Sequence, residues 1–226
     1  MKTKFLHIAT ALLFAGFTSS CSDFLDRYPL DELSDSSFWK TENDAMMAVT
    51  DIYGCLPTWD QDEDINSDNA VHGIKWAAGN ISKGIYDPMD QSWAGSYTPI
   101  RQCNLVLEKV KDIEMSDESR KKIEGQAYFF RAFVYFNLIR SFGDVPYIDK
   151  PLNLTDVEDI TRTPREEVYA KVMADFDKAI EYLPEEWDAA NTPRVTKGAA
   201  LAMKARAALY YSNWQVAADA SKAVID

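Results

Sequence analysis

The sequence predicts an all-α fold: a tetratricopeptide-like stack of helical hairpins joined by long irregular loops. Three observations predict it. Apolar residues recur at helical spacing through most of the chain beyond Thr41. Only scattered short segments have any strand character. The last helices partly fit a repeat whose frame is the small residue, aromatic and alanine of the second helix of a tetratricopeptide unit. With 46% of its 226 residues hydrophobic and 12% aromatic, the chain has ample material for a buried core.

The first helix is predicted to start at Thr41, which stands three residues before Asp44 in a relative of the capping box. Ala45, Ala48, Val49, Ile52 and Tyr53 continue it to a stop near Gly54 and Pro57. Thr58 to Gln91 has no steady period and is full of Asp, Asn, Gly and Ser. A connection this long is usually either functional or disordered, and its tryptophans argue for order. Helical spacing resumes at Trp93 and runs through Tyr97, Ile100, Leu105, Leu107 and Val110.

A second long run covers Asp117 to Phe142, and its centre, Tyr128 to Phe136, is apolar on nearly every face, so it must be buried. Gly143, Asp144 and Pro146 end it. Thr163 and Pro164 are then expected to cap and open the next helix, whose apolar line is Val168, Val172, Phe176, Ala179, Ile180 and Leu183. Runs from Gly198 to Tyr211 and from Trp214 to Ile225 complete the set. Val172, Phe176, Ala179 and Pro184 fit one tetratricopeptide frame, with a valine where alanine is usual. Ala205 and Ala217 hold the small positions of a second, from which Ser221 and Val224 depart. Such hairpins each bury the face that a neighbour exposes, and a stack that ends at Asp226 without a polar cap is expected to be a fragment.

The first residues have the layout of a secretory signal. Lys2 and Lys4 precede an apolar run from Phe5 to Phe17, then Thr18, Ser19, Ser20 and Cys21. As a helix the run reaches about 20 Å against a hydrocarbon core of about 30 Å, too short to span. A cysteine directly behind the small residues has the placement of a bacterial lipobox, in which Cys21 is lipidated and becomes the mature N-terminus. An ordinary cleaved signal, with Cys21 left as a thiol, is the other reading. The expected organisation is a signal over 1–20, an extended arm over 21–40 and a helical domain over 41–226.

Lys2 and Lys4 are two of 24 basic residues, so without the signal 22 remain against 36 acidic ones and the net charge moves from −12 to −14. A surface of that sign repels phosphate backbones and anionic headgroups, which argues against nucleic acid and against attachment through a basic helix. Cys55 and Cys103 have no metal-site spacing; they either pair in an oxidising compartment or stay buried as free thiols.

His72 is the one histidine beyond the signal, and no Gly-x-Ser-x-Gly elbow, His-Glu-x-x-His or phosphate-cradling glycine loop occurs. Asp60 to Asp68 sets oxygen ligands at alternate positions of a calcium loop, but Ile65 and Val71 stand where an EF-hand has glycine and glutamate. A solvated acidic loop is the plainer reading, and no cofactor is expected. The aromatic residues say more. A sugar ring stacks its C–H face on indole and needs directional partners for its hydroxyls. Trp59, Asp68, Asn69, Trp76 and Asn80 supply that combination within one segment, where Trp59 and Trp76 either hold a solute or pin the loop to the helices.

From Cys21 to its end the chain resembles the SusD/RagB family of nutrient-binding lipoproteins. The residues that carry the likeness are the arm Cys21 to Asp26, Phe38-Trp39 with Asp44-Ala45, and Trp93, Tyr97, Ile100 and Asn104. Most specific is Glu124 to Ala132 running on to Arg140-Ser141-Phe142-Gly143-Asp144-Val145-Pro146; Arg162 to Tyr169 and Trp214 with Ala217-Ala218 add to it. The resemblance implies a lipid-anchored receptor on the outer membrane of a Bacteroidetes-type bacterium. Such a receptor captures oligosaccharides or peptides and passes them to a SusC-like TonB-dependent transporter, with no catalytic residue. It also implies that the helices mostly face the transporter, and that the ligand groove lies partly on Thr58 to Gln91 and partly in a C-terminal half beyond this sequence. A helical adaptor that binds only protein, and a surface glycoside hydrolase built on a carboxylate pair, are the alternatives.

Overall fold

Helix α1 (Glu42–Ile52) opens on a complete capping box: the Thr41 hydroxyl accepts from the Asp44 amide, and the Asp44 carboxylate accepts from the Thr41 amide at 2.8 Å. A 3-10 turn, Tyr53–Cys55, closes it. The computed structural model describes residues 38–56, 93–156 and 160–225. Trp39 to Asp226 cluster as one unit. Its further helices are α2 (Trp93–Lys109), α3 (Asp117–Phe142), α4 (Arg165–Tyr182), α5 (Lys197–Tyr210) and α6 (Trp214–Ile225). Among the described residues the only β pairing is a single bridge between Val145 and Thr163. The all-α, tetratricopeptide-like expectation therefore holds.

Helix α3 lies at the centre. It packs most extensively on α4 and also on α1, α2 and α5, while α4 meets α5 and α5 meets α6, so each hairpin covers the one before. Phe130, Ala132, Tyr135 and Phe136 lie on different faces of α3 and all are buried, as a run without a polar face requires. Val172, Phe176 and Ala179, the apolar line read from the repeat frame, form the buried face of α4. Gly125 marks the closest approach, where a Cβ would stand 3.0 Å from Tyr182 Cβ and 3.1 Å from Leu183 Cγ.

The turn after α3 shows how the expected cap of α4 was misplaced. Thr163 does not cap the helix; its backbone pairs with Val145, the Thr163 amide donating to the Val145 carbonyl at 2.9 Å. Pro164 sits just outside α4 rather than in its first turn, with no side-chain cap of its own. The orphan amide of Arg165 donates instead to the carboxylate of Asp144 at 2.9 Å, so the capping group comes from 21 residues upstream. Gly143, at φ +69°, makes the reversal that brings Asp144 there.

Past that turn, residues 146–150 are tied to α2 and α3 by buried and half-buried side chains. The Tyr97 phenol donates to the Pro146 carbonyl at 3.0 Å, and the Ile148 amide donates to the Tyr135 phenol at 2.7 Å. Asn104 donates its amide to the Ile148 carbonyl at 2.9 Å and accepts from Arg131 at 2.8 Å. Arg131, the one cation inside the apolar centre of α3, closes on both oxygens of Asp175 of α4. A second network ties the α4–α5 connection to α1: Tyr53 donates to Gln126 Oε1 at 2.9 Å, and Arg194 donates to the same oxygen and to Thr50 Oγ1.

Candidate functional site

An open cavity of about 750 Å³ is walled by α1, α2, α3 and α5. That volume is of the size that holds a small molecule. The central helix contributes Phe133 and Asn137 from successive turns, which face the same way because they are four residues apart. The Asn137 amide group donates to the Phe133 carbonyl at 3.0 Å, which fixes the side chain and leaves its oxygen as an acceptor.

From α2 come Gly95, Thr98 and Pro99. Proline has no N–H, so Pro99 cannot serve the carbonyl four residues back, and Gly95 keeps an acceptor without its usual helical donor. Asp51 of α1 accepts a short hydrogen bond from Gln102 of α2 across the rim. Two further side chains at the cavity carry positive charge, Arg140 in the last turn of α3 and Arg206 on α5, and both are exposed.

Cys55 also lines the cavity, and burial pushes its thiol up to about 11. Cys103 is fully buried, and both thiols are free. A thiol that stays protonated at neutral pH is a poor nucleophile, so Cys55 is a wall residue here.

Chain connectivity joins this cavity to the tryptophan-bearing segment read from the sequence. Residues 57–92 leave from Leu56, directly after Cys55, and return at Trp93, two residues before Gly95, so both ends of the segment are rooted at the cavity rim. Trp93 is itself held: its ring meets Phe142 edge-on at 4.9 Å, and the Arg162 guanidinium lies 5.0 Å above it. The candidate ligand contacts Trp59, Asp68, Asn69, Trp76 and Asn80, the acidic run Asp60 to Asp68, and the lipidation candidate Cys21 all lie outside the described residues. Among the described residues no three His, Cys, Asp or Glu side chains come together as a metal site, and no helix is long and apolar enough to cross a membrane.

Sequence reading missed the rim arginines and the Arg131–Asp175 pair. Arg131 carried a signal: a cation amid Phe130, Ala132 and Phe133 must be buried, and a buried charge requires a partner. Arg140 and Arg206 carried none, being two of many surface cations until the fold set them on one concavity.

The helical-hairpin stack with an open cavity beside its first two helices defines the class as a tetratricopeptide-like helical fold. Within that class the chain belongs to the SusD-like family: the family model described as "Starch-binding associating with outer membrane" matches residues 23–209. The chain is similar to a SusD-like protein of Formosa agariphila, 29% identical over its whole length and covering 46% of that protein. It is also 26% identical to a SusD-like protein of Bacteroides ovatus, over 95% of the chain and 40% of the relative. The chain thus spans under half the length of these relatives. Among solved structures, a SusD-like protein from Bacteroides fragilis superposes with a TM-score of 0.77 at 25% identity, over 88% of this chain and 41% of that one. A laminarin-binding SusD-like protein shares the fold with a TM-score of 0.72 at 24% identity, over 80% and 42%.

Proposed function

We propose that this chain is the helical portion of a cell-surface glycan receptor, a lipoprotein anchored through Cys21 that captures oligosaccharide and hands it to a TonB-dependent transporter of the outer membrane. The observation that carries the proposal is the family match itself. It runs through residues 23–209, so it spans the tryptophan-bearing segment as well as the helices, and its description names both a polysaccharide and the outer membrane. The signal layout ending at Cys21 supplies a route to that membrane. Because one acyl chain binds only marginally, the several chains of a bacterial lipoprotein make a lasting tether.

Trp59, Asp68, Asn69, Trp76 and Asn80 are the proposed ligand contacts, presented on a segment whose roots are fixed at Leu56 and Trp93. The chemistry is binding and release with no bond broken. The described helices offer amides, hydroxyls and an aromatic wall around an open concavity, which suits a solute that must be passed on. A glycan array probed with the full-length protein tests the reading, alongside co-purification from membranes. Retention of an oligosaccharide class together with a TonB-dependent transporter supports it; transporter association without any saccharide signal replaces it with a protein-binding adaptor.

A further inference from the structure

We infer that the cavity between α1, α2, α3 and α5 selects an anionic oligosaccharide, one that carries a carboxylate or a sulfate ester, through Arg140 and Arg206. The inference rests on the glycan-receptor reading and adds the ligand's charge to it.

The cavity reverses the sign of the protein around it. The whole chain has a net charge of −12, yet the charged side chains at this concavity are two arginines and one aspartate. The aspartate, Asp51, is already engaged by Gln102. Of the eight arginines among the described residues, Arg120, Arg131, Arg162, Arg165 and Arg194 hydrogen-bond to protein acceptors. Arg101, Arg140 and Arg206 have no ion pair or hydrogen bond among the described residues, although acids outnumber bases by 36 to 24, and of these three Arg140 and Arg206 line this cavity. Two unspent guanidiniums on one concavity, in a chain with an excess of carboxylates, are donors kept for something outside the chain. A planar guanidinium fork matches the oxygens of a carboxylate or a sulfate.

The rest of the wall suits a sugar. Phe133 offers an aromatic surface, while the Asn137 oxygen and the Gly95 carbonyl are acceptors for hydroxyl hydrogens. A volume of about 750 Å³ has room for a short oligosaccharide. Field focusing in a concavity draws anions in, which matters more here because the remaining surface repels them.

The test titrates full-length protein calorimetrically with three oligosaccharides of equal length: neutral, uronate-containing and sulfated. The wild type binds at least one anionic sugar more tightly than the neutral one, and added salt narrows the gap. The double variant Arg140→Gln/Arg206→Gln weakens anionic binding about tenfold, the summed effect of two exposed charge contacts, and weakens neutral binding less. Asp51→Asn, which removes the opposing charge, strengthens anionic binding, so the idea stays testable even where the double variant fails to fold. Equal binding of neutral and anionic sugars by the wild type, or unchanged anionic binding in the double variant, overturns the inference while the receptor reading stands. Absence of binding to any of the three sugars overturns both. Uronate binding without sulfate binding, or the reverse, identifies the anionic group.

Discussion

Arg131 of α3 grips Asp175 of α4 with two parallel hydrogen bonds, Nε to one carboxylate oxygen and Nη2 to the other, each 2.7 Å long. Both side chains are only 8% exposed. Burial opposes charge on each of them, and the bidentate contact is what holds the Arg131 pKa above its ordinary value. Losing one partner strands a buried charge. Asp175→Leu is expected to cost about 3–5 kcal/mol in guanidinium unfolding. The double variant Arg131→Met/Asp175→Leu should recover part of that loss, since it leaves no buried charge and strands only the Asn104 oxygen that loses its donor. A double variant as unstable as the single would contradict the pair's role.

Gly125 lets α3 approach the end of α4. Alanine is better than glycine in a helix by about 1 kcal/mol, but here its Cβ would meet Tyr182 Cβ at 3.0 Å. That atom is attached to the backbone and cannot swing aside. Overpacking costs about 1–3 kcal/mol and outweighs the propensity gain, so Gly125→Ala is expected to destabilise. A rise in melting temperature would show that the helices have room to part.

The Asp144 carboxylate acts as a cap borrowed from another element. Asp144→Ala is expected to cost about 1 kcal/mol, the usual worth of a capping side chain, although the residue is exposed and belongs to no helix. Amide exchange read by mass spectrometry should speed up in the first turn of α4. Unchanged exchange there would remove Asp144 from the capping role.

Burial pushes the phenols of Tyr97 and Tyr147 up to about 12, against an ordinary value near 10. A group whose folded pKa lies above its unfolded one favours the fold while protonated. That contribution is whole below about pH 10 and is lost as pH climbs through about 12. Stability is therefore expected to fall across this alkaline window, and Tyr97→Phe should flatten part of the fall. The same variant loses the hydrogen bond to the Pro146 carbonyl, at about 1 kcal/mol near neutral pH. An identical alkaline slope in wild type and variant would contradict the assignment.

The helices could be read from the sequence because helical spacing is a local property. Val172, Phe176 and Ala179 line the buried face of α4 as their spacing required, and the apolar centre of α3 is buried on nearly every side. What the sequence hid was set by distant contacts. Thr163 satisfies every local rule for a cap, yet pairing with Val145 takes its backbone and Asp144 supplies the cap from across the turn. Asp175 lies 44 residues from Arg131, and no periodicity links them. Arg140 and Arg206 became a pair only once α3 and α5 were set on one cavity.

Calorimetric titration of the full-length protein with a soluble oligosaccharide, followed by chromatography of the sugar, most directly tests the claim of capture without chemistry. Saturable binding with the sugar recovered at its original length is the predicted result. A sugar that gives no heat, or that returns shortened with new reducing ends, would contradict it.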